Sequence, residues 1–192
     1  MGPADPHRHL ATVADLLALP ASRAAEVVAG EIVDKAAPTF AHGNAQSGLS
    51  GALFGFRGPP GEPPSPGGWW IATEVEVEYE GHEVYRHDVV GWRRDRVADR
   101  PAERPVRIRP DWVCEILSPS NAANDTVKKL RVLYGHGVPH YWLLDPEAGT
   151  LRVLRWTADG YLEVLSATSD ETVKAEPFDA AALSLKAILD AE

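Results

Sequence analysis

One acidic residue inside an apolar strand constrains the fold of this sequence more than any other feature. Residues 112–117 read Trp-Val-Cys-Glu-Ile-Leu, a composition typical of a buried β-strand. Glu115 lies in the middle of this run, which ends at Ser118 and Pro119. Because a carboxylate is costly to bury unless it is paired or binds a metal, Glu115 is a candidate site residue.

A second carboxylate occupies a comparable position. Asp88 lies within the apolar segment 84–92, which also predicts a strand. Carboxylates suit Mg²⁺ or Mn²⁺, and the main-chain carbonyl of Ile116, next to Glu115, could supply a third ligand. With a lysine nearby, the pattern therefore favours a metal-assisted hydrolase site. Spacing alone leaves open that Asp88 pairs with an arginine and Glu115 with Lys129 as structural ion pairs.

The helix predicted after this strand, from about 125 to 136, carries two candidate lysines. Its cap is Asn124 or Asp125. Its core face is predicted to hold Val127, Leu130, Leu133 and Tyr134. Lys129 lies four residues before Leu133 and so shares this side of the helix, whereas Lys128 projects away from it. We therefore expect Lys129 to reach the acids.

Strands and helices alternate along the rest of the chain. Helices are predicted at 13–19, 42–56 and 180–189, and strands or hairpins at 25–33, 69–79, 140–144, 151–156 and 161–165. Alternation in 69–79 predicts one face of Ile71, Thr73, Val75, Val77 and Tyr79. This order predicts an α/β fold, a mixed sheet flanked by helices. A length of 192 residues fits one domain, 1–192.

Composition excludes several classes of protein. No apolar run approaches the roughly 20 residues that span a bilayer, and the first residues lack the pattern of a signal peptide. The single cysteine, Cys114, cannot form an internal disulfide and suits a reducing compartment. We therefore expect a cytoplasmic protein.

The charge distribution is uneven. The net charge of −9 argues against tight nonspecific binding of nucleic acid over the whole surface. Residues 93–109, however, contain seven arginines against three acids, a local charge of +4. Four of these, Arg93, Arg94, Arg96 and Arg100, are candidates for contacting the phosphate backbone of DNA. The alternative is that the arginines pair with acids of the same chain or of a partner subunit.

Two longer motifs carry a family resemblance. The sequence VCEILSPS at 113–120 and GVPHYWLLDP at 137–146, with Asp88 before them and Lys129 between them, resembles the Uma-type "putative restriction endonuclease" family of the PD-(D/E)XK nuclease superfamily. The resemblance covers nearly the whole chain. It implies a restriction-endonuclease-like fold and a Mg²⁺-dependent endonuclease in which Asp88 and Glu115 bind the metal.

Two positions depart from the family pattern. The family usually has proline before the first metal-binding aspartate, where this chain has His87. The superfamily's lysine should lie two residues after Glu115, where Leu117 stands, so the resemblance implies that Lys129 has taken over its role. We expect His87 to point away from Asp88 and to serve packing.

Three weaker candidates and two alternative functions remain. Glu26 or Glu74 could be the early acidic residue that the superfamily often has, although Glu74 also fits a solvated strand face. His42, at a predicted helix start, fits either the site or a cap. The fold could instead carry an inactive binding module, or a hydrolase of a small phosphate ester. High sequence specificity would require a homodimer or a partner.

Overall fold

One mixed β-sheet organises the chain. The computed structural model of the protein describes residues 9–20, 22–62, 65–118 and 124–189. The helices are α1 (Val13–Leu17), α2 (Phe40–Ala52), α3 (Leu130–Gly135) and α4 (Leu185–Leu189). The strands are β1 (Ala25–Val28), β2 (Glu31–Asp34), β3 (Trp69–Glu80), β4 (Glu83–Arg93), β5 (Trp112–Ile116), β6 (His140–Asp145), β7 (Thr150–Thr157), β8 (Gly160–Thr168), β9 (Thr172–Val173) and β10 (Leu183–Ser184).

Eight of these strands form the main sheet. The order is β2-β1-β4-β5-β6-β7-β8, and β3 also pairs with β4; β9 and β10 form a separate pair. Strands β5 and β6 are parallel because the chain between them crosses over through α3, whereas the other neighbours in the main sheet are antiparallel. The predicted α/β class, a mixed sheet flanked by helices, is confirmed.

The sheet is covered on both faces. On one face α2 and α4 pack on an aromatic core that includes Trp112, Trp142 and Phe178. On the other face α3 contributes Leu133, which packs with Val138. A strand with helices on both sides is buried on both faces, which explains why β5 is apolar throughout except at Glu115. No helix in the described part of the chain is long and apolar enough to cross a membrane.

Strand β3 changes faces at Glu74, which the alternation of its sequence did not predict. Glu74 has a φ of 56°, a left-handed conformation that is uncommon for a residue other than glycine. Before this kink Ile71 packs on the α2 side of the sheet, and after it Val75 and Val77 pack on the α3 side. The predicted single face of odd-numbered residues is therefore wrong.

Two helix boundaries also differ from the prediction. Helix α2 begins at Phe40 rather than after His42, because Thr39 is its cap and accepts a hydrogen bond from the amide of His42. His42 therefore lies inside the first turn and is buried.

The predicted helix at 125–136 is divided in two. A π-helical turn spans Asn124–Lys129 and α3 follows it. The wider turn rotates Val127 out of the core, so that it is 44% exposed. The prediction that Val127 belongs to the core face is therefore wrong, whereas Leu133 is fully buried as predicted. Pro119 and Ser120, which belong to the family motif, lie outside the described residues.

The division of the predicted helix into a π-helical turn and α3 predicts different effects for shortening the side chains of Leu133 and Val127. We expect Leu133→Ala to lower the free energy of unfolding by about 2–5 kcal/mol, because it leaves a cavity in the core under α3. Val127→Ala should change it by less than about 0.5 kcal/mol. Urea denaturation of both variants measures this, and equal losses would mean that the helix is regular and Val127 is buried.

Candidate active site

A break in the pairing of β4 creates the site. On one side β4 pairs with β1 at Val84 and with β5 from Val89 onward. On this side, between Val84 and Val89, side chains rather than a neighbouring strand form hydrogen bonds with main-chain groups. The amide of Arg86 donates to Glu26 Oε1 at 2.7 Å, and the amide of Ile116 donates to an oxygen of the Asp88 carboxylate at 2.7 Å. Charged side chains from several elements therefore converge where β1 and β5 diverge.

Asp88 is held by groups from the α2 side of the sheet. Its carboxylate lies 2.6 Å from Lys35 Nζ and 3.3 Å from His42 Nε2, and the side chain is 2% exposed. Burial alone would raise the pKa of Asp88, but the hydrogen bonds and positive charge of His42 and Lys35 outweigh it and lower the pKa below its ordinary value. Asp88 is therefore ionised.

Glu115 has different neighbours. Its carboxylate oxygen Oε1 lies 2.5 Å from His87 Nδ1 and 3.2 Å from Lys129 Nζ. Burial raises the pKa of Glu115 to about 8, although Lys129 opposes the shift. The two acids lie near each other in the sheet, since β5 donates its Ile116 amide to Asp88, but they are held from opposite sides.

Lys129 lies where its spacing predicted, and it bridges three acids. Its Nζ is 2.9 Å from Glu26, 3.1 Å from Asp125 and 3.2 Å from Glu115, and its side chain is 2% exposed. Burial works against its charge, but the three carboxylates together raise the pKa of Lys129 well above its ordinary value. Lys128 is exposed. Asp125, expected at most to cap the helix, is instead a buried partner, and its spacing of four residues from Lys129 was the available signal.

His87 does more than pack. It lies away from the groups that hold Asp88, as predicted, but this direction brings it against Glu115. Its Nε2 is 2.7 Å from the hydroxyl of Tyr79. Burial lowers the pKa of His87 well below its ordinary value, so the ring is neutral. A neutral ring that donates from Nδ1 to Glu115 and accepts at Nε2 from Tyr79 satisfies all three groups.

An open cleft of about 600 Å³ adjoins Asp88. Residues that line it include Lys35, His42, Gln46, Glu74, Arg86 and Ser118. Glu74, which fitted a solvated strand face, instead accepts from Gln46 at 2.9 Å and pairs with Arg86 at 2.8 Å. Sequence reasoning missed Lys35 and Gln46. Lys35 stands in a segment without periodicity, and no pattern marked it.

The buried charges suit a divalent cation. In the described part of the chain, four acids of the site, Glu26, Asp88, Glu115 and Asp125, are buried, and two lysines, Lys35 and Lys129, lie among them. Burial raises the pKa values of Glu115 and Asp125, and the positive charge of Lys129 offsets this only in part. The described residues contain no group of three or more His, Cys, Asp or Glu side chains arranged to hold a metal ion. An ion here would therefore need main-chain and water ligands beside its carboxylates, an arrangement Mg²⁺ commonly adopts.

Most of the arginines at 93–109 are already engaged. Four face acids: Arg93 with Asp95, Arg96 with Asp111, Arg104 with Glu76 and Arg107 with Glu78. Arg109 donates to the carbonyl of Gly137. Arg94 stacks on the ring of Trp70 at 3.3 Å, and Arg100 is exposed; neither has an acidic partner among the described residues. Of the four arginines expected to contact DNA, Arg93 and Arg96 therefore pair with acids of the same chain, as the alternative held.

Two comparisons with known proteins agree with this architecture. The model of a family named Uma2 and described as "Putative restriction endonuclease" matches residues 13–187. A crystal structure of a "putative nuclease belonging to DUF820" from Anabaena variabilis is similar in fold, with a TM-score of 0.68, 23% sequence identity, and coverage of 93% of this chain and 97% of that chain. No curated protein matches the sequence.

The site also predicts how stability depends on pH. Burial raises the pKa of Asp125 from 3.8 to about 7. The folded state therefore binds this proton more tightly than the unfolded state. The contribution of Asp125 to the free energy of unfolding falls as the pH rises from 3.8 to about 7. We expect Asp125→Asn to raise the free energy of unfolding at pH 8 by at least about 1 kcal/mol and to change it less at pH 4. Urea denaturation at both pH values, with the exposed Asp159→Asn as control, tests this; a loss of stability at pH 8 would mean that the pair with Lys129 outweighs burial.

Proposed function

Because the chain belongs to the Uma2 family, described as "Putative restriction endonuclease", we propose that it is a metal-dependent endonuclease that hydrolyses phosphodiester bonds of DNA. Membership of the family supports a nuclease function. The observation that carries the metal dependence is the excess of buried acids over lysines beside an open cleft. Mg²⁺ or Mn²⁺ at this point would balance that charge.

Asp88, Glu115 and the carbonyl of Ile116 are the proposed ligands. Both carboxylates are buried and come from adjacent strands, and Asp88 is ionised. A bound divalent ion would lower the pKa of its water and neutralise charge on the phosphate. The chain's own groups prepare the site: His87 and Lys129 fix the Glu115 carboxylate, and Glu26 holds Lys129 in position.

Arg93, Arg94 and Arg100 are the proposed contacts to the DNA backbone. The pair of Arg93 with Asp95 is long, at 3.7 Å, and exposed, so it holds Arg93 weakly. Arg94 and Arg100 have no acidic partner among the described residues. Arg96 was a further candidate, but its pair with the buried Asp111 at 2.8 Å favours a structural role.

We further propose that the protein acts as a homodimer in the cytoplasm and that its 192 residues form one domain. A two-fold pair of chains would supply two sites, one for each strand of a duplex. A free, buried Cys114 agrees with a reducing compartment.

The first test joins metal binding to activity. We expect the parent protein to nick or linearise plasmid DNA with Mg²⁺ and not with EDTA. Asp88→Asn should lose Mg²⁺ binding in calorimetry and reduce cleavage by at least about 100-fold, because it removes a ligand charge. Asp159→Asn, which alters an exposed turn, is the matched control.

The alternatives give different results in the same assays. Mg²⁺-dependent hydrolysis of bis(p-nitrophenyl) phosphate without cleavage of DNA would favour a hydrolase of small esters. Binding of DNA without cleavage would favour an inactive module. An Asp88→Asn variant with the parent's affinity for Mg²⁺ would contradict the proposed metal site.

The second test separates available from engaged arginines. Replacing both Arg94 and Arg100 by Ala should weaken DNA binding and flatten the slope of log K against log salt by up to about two units, roughly one per lost phosphate contact. Replacing both Arg104 and Arg107 removes the same charge, but from groups paired with Glu76 and Glu78. If the two double variants give equal affinities and slopes, the loop acts only through its overall charge.

A further inference from the structure

We propose that Lys35 is a second active-site lysine, which releases Asp88 when the metal binds and then contacts the scissile phosphate. This inference rests on the proposed nuclease function. It assigns the cation that meets the substrate to Lys35, in the segment between β2 and α2, rather than to Lys129.

The first observation is where each lysine lies. Lys35 lines the cleft with His42, Gln46 and Ser118, and its side chain is 10% exposed. Lys129 is 2% exposed, does not line the cleft, and has a carboxylate within 3.2 Å on each of three elements. A substrate entering the cleft would therefore meet Lys35, while Lys129 remains behind the acids.

The second observation is that Lys35 occupies the proposed metal ligand. Its Nζ lies 2.6 Å from Asp88 Oδ1, a charge-assisted contact at the distance of a strong hydrogen bond. A cation cannot bind the same oxygen without moving this ammonium, since two positive charges at that distance repel. The lysine and the metal therefore compete for Asp88.

Lys35 can move without losing all of its partners. Its Nζ donates to the carbonyl of Arg86 at 2.7 Å and lies 3.7 Å from Glu74 Oε2. Both groups lie on the cleft side, and a small rotation of the long side chain would exchange Asp88 for Glu74. The released ammonium would then lie beside the space that a phosphate enters, where positive charge stabilises the developing negative charge.

The cleft has a further unpaired polar group. His42 donates from Nε2 to the Asp88 carboxylate, and its Nδ1 is buried without a hydrogen-bond partner among the described residues. His42 is 8% exposed. A buried ring nitrogen without a partner beside Lys35 indicates a place for a polar ligand atom or an ordered water.

The first arm of the test measures metal binding, which does not depend on activity. Removal of the competing charge in Lys35→Met should tighten Mn²⁺ binding about tenfold or more in calorimetry. Lys35→Gln should also tighten Mn²⁺ binding, and it replaces Lys35→Met in this measurement if circular dichroism shows that Lys35→Met folds poorly. Lys35→Arg keeps the charge and should bind Mn²⁺ about as the parent does. Lys128→Met, at an exposed lysine, is the matched control.

The second arm measures cleavage at saturating Mg²⁺ and DNA. Lys35→Met and Lys35→Gln should lower kcat by about 100-fold with little change in KM, because the lost contact forms with the transition state. Lys35→Arg should recover part of kcat. A lysine with only a structural role would leave kcat unchanged once the metal is saturating.

The outcomes separate this inference from the proposed function. If the parent cleaves DNA and Lys35→Met and Lys35→Gln cleave it with unchanged kcat, the proposed role of Lys35 is overturned and the nuclease function stands. Variants that bind Mn²⁺ no more tightly than the parent overturn the competition. A parent and Lys128→Met that bind Mn²⁺ without cleaving DNA would refute the nuclease, and the binding arm would still decide the competition.

Discussion

The three-way bridge made by Lys129 is the interaction on which the site depends. A lysine and three carboxylates are withdrawn from water where β1 and β5 separate along β4, and Lys129 keeps its charge there because the three carboxylates surround it. The hydrogen bond that the main-chain amide of Arg86 donates to the Glu26 carboxylate ties this cluster to the sheet. The bridge therefore keeps β1, β5 and the turn before α3 in one arrangement.

The site residues that could be predicted are charged residues within apolar segments of the sequence. Asp88 and Glu115 were recognisable because each is a lone acid in an apolar strand, and Lys129 because its spacing from Leu133 turns it inward. Asp88 and Glu115 lie near each other because β4 and β5 are adjacent, which alternating strands suggested but did not require. Their roles in catalysis stay predictions.

What could not be predicted depends on contacts between distant segments. Lys35 has no pattern of its own, and its importance comes from lying 2.6 Å from a residue 53 positions later. The arginines between β4 and β5 read as a basic surface, but acids of β3, Glu76 and Glu78, engage two of them. The π-helical turn Asn124–Lys129 before α3 likewise departs from the regular period of 3.6 residues, so the pattern of apolar residues did not predict it.

Two requirements fall on Glu74, the residue at the kink of β3. Glu74 must adopt a left-handed backbone so that the strand can supply side chains to both layers of the molecule, and its carboxylate must also meet Arg86 and Gln46 at the cleft. Glycine or asparagine would meet the first demand more easily than glutamate does. The presence of glutamate in this conformation means that local strain accompanies the charge at the cleft, so that replacing Glu74 by glycine would relieve the strain and remove the charge together.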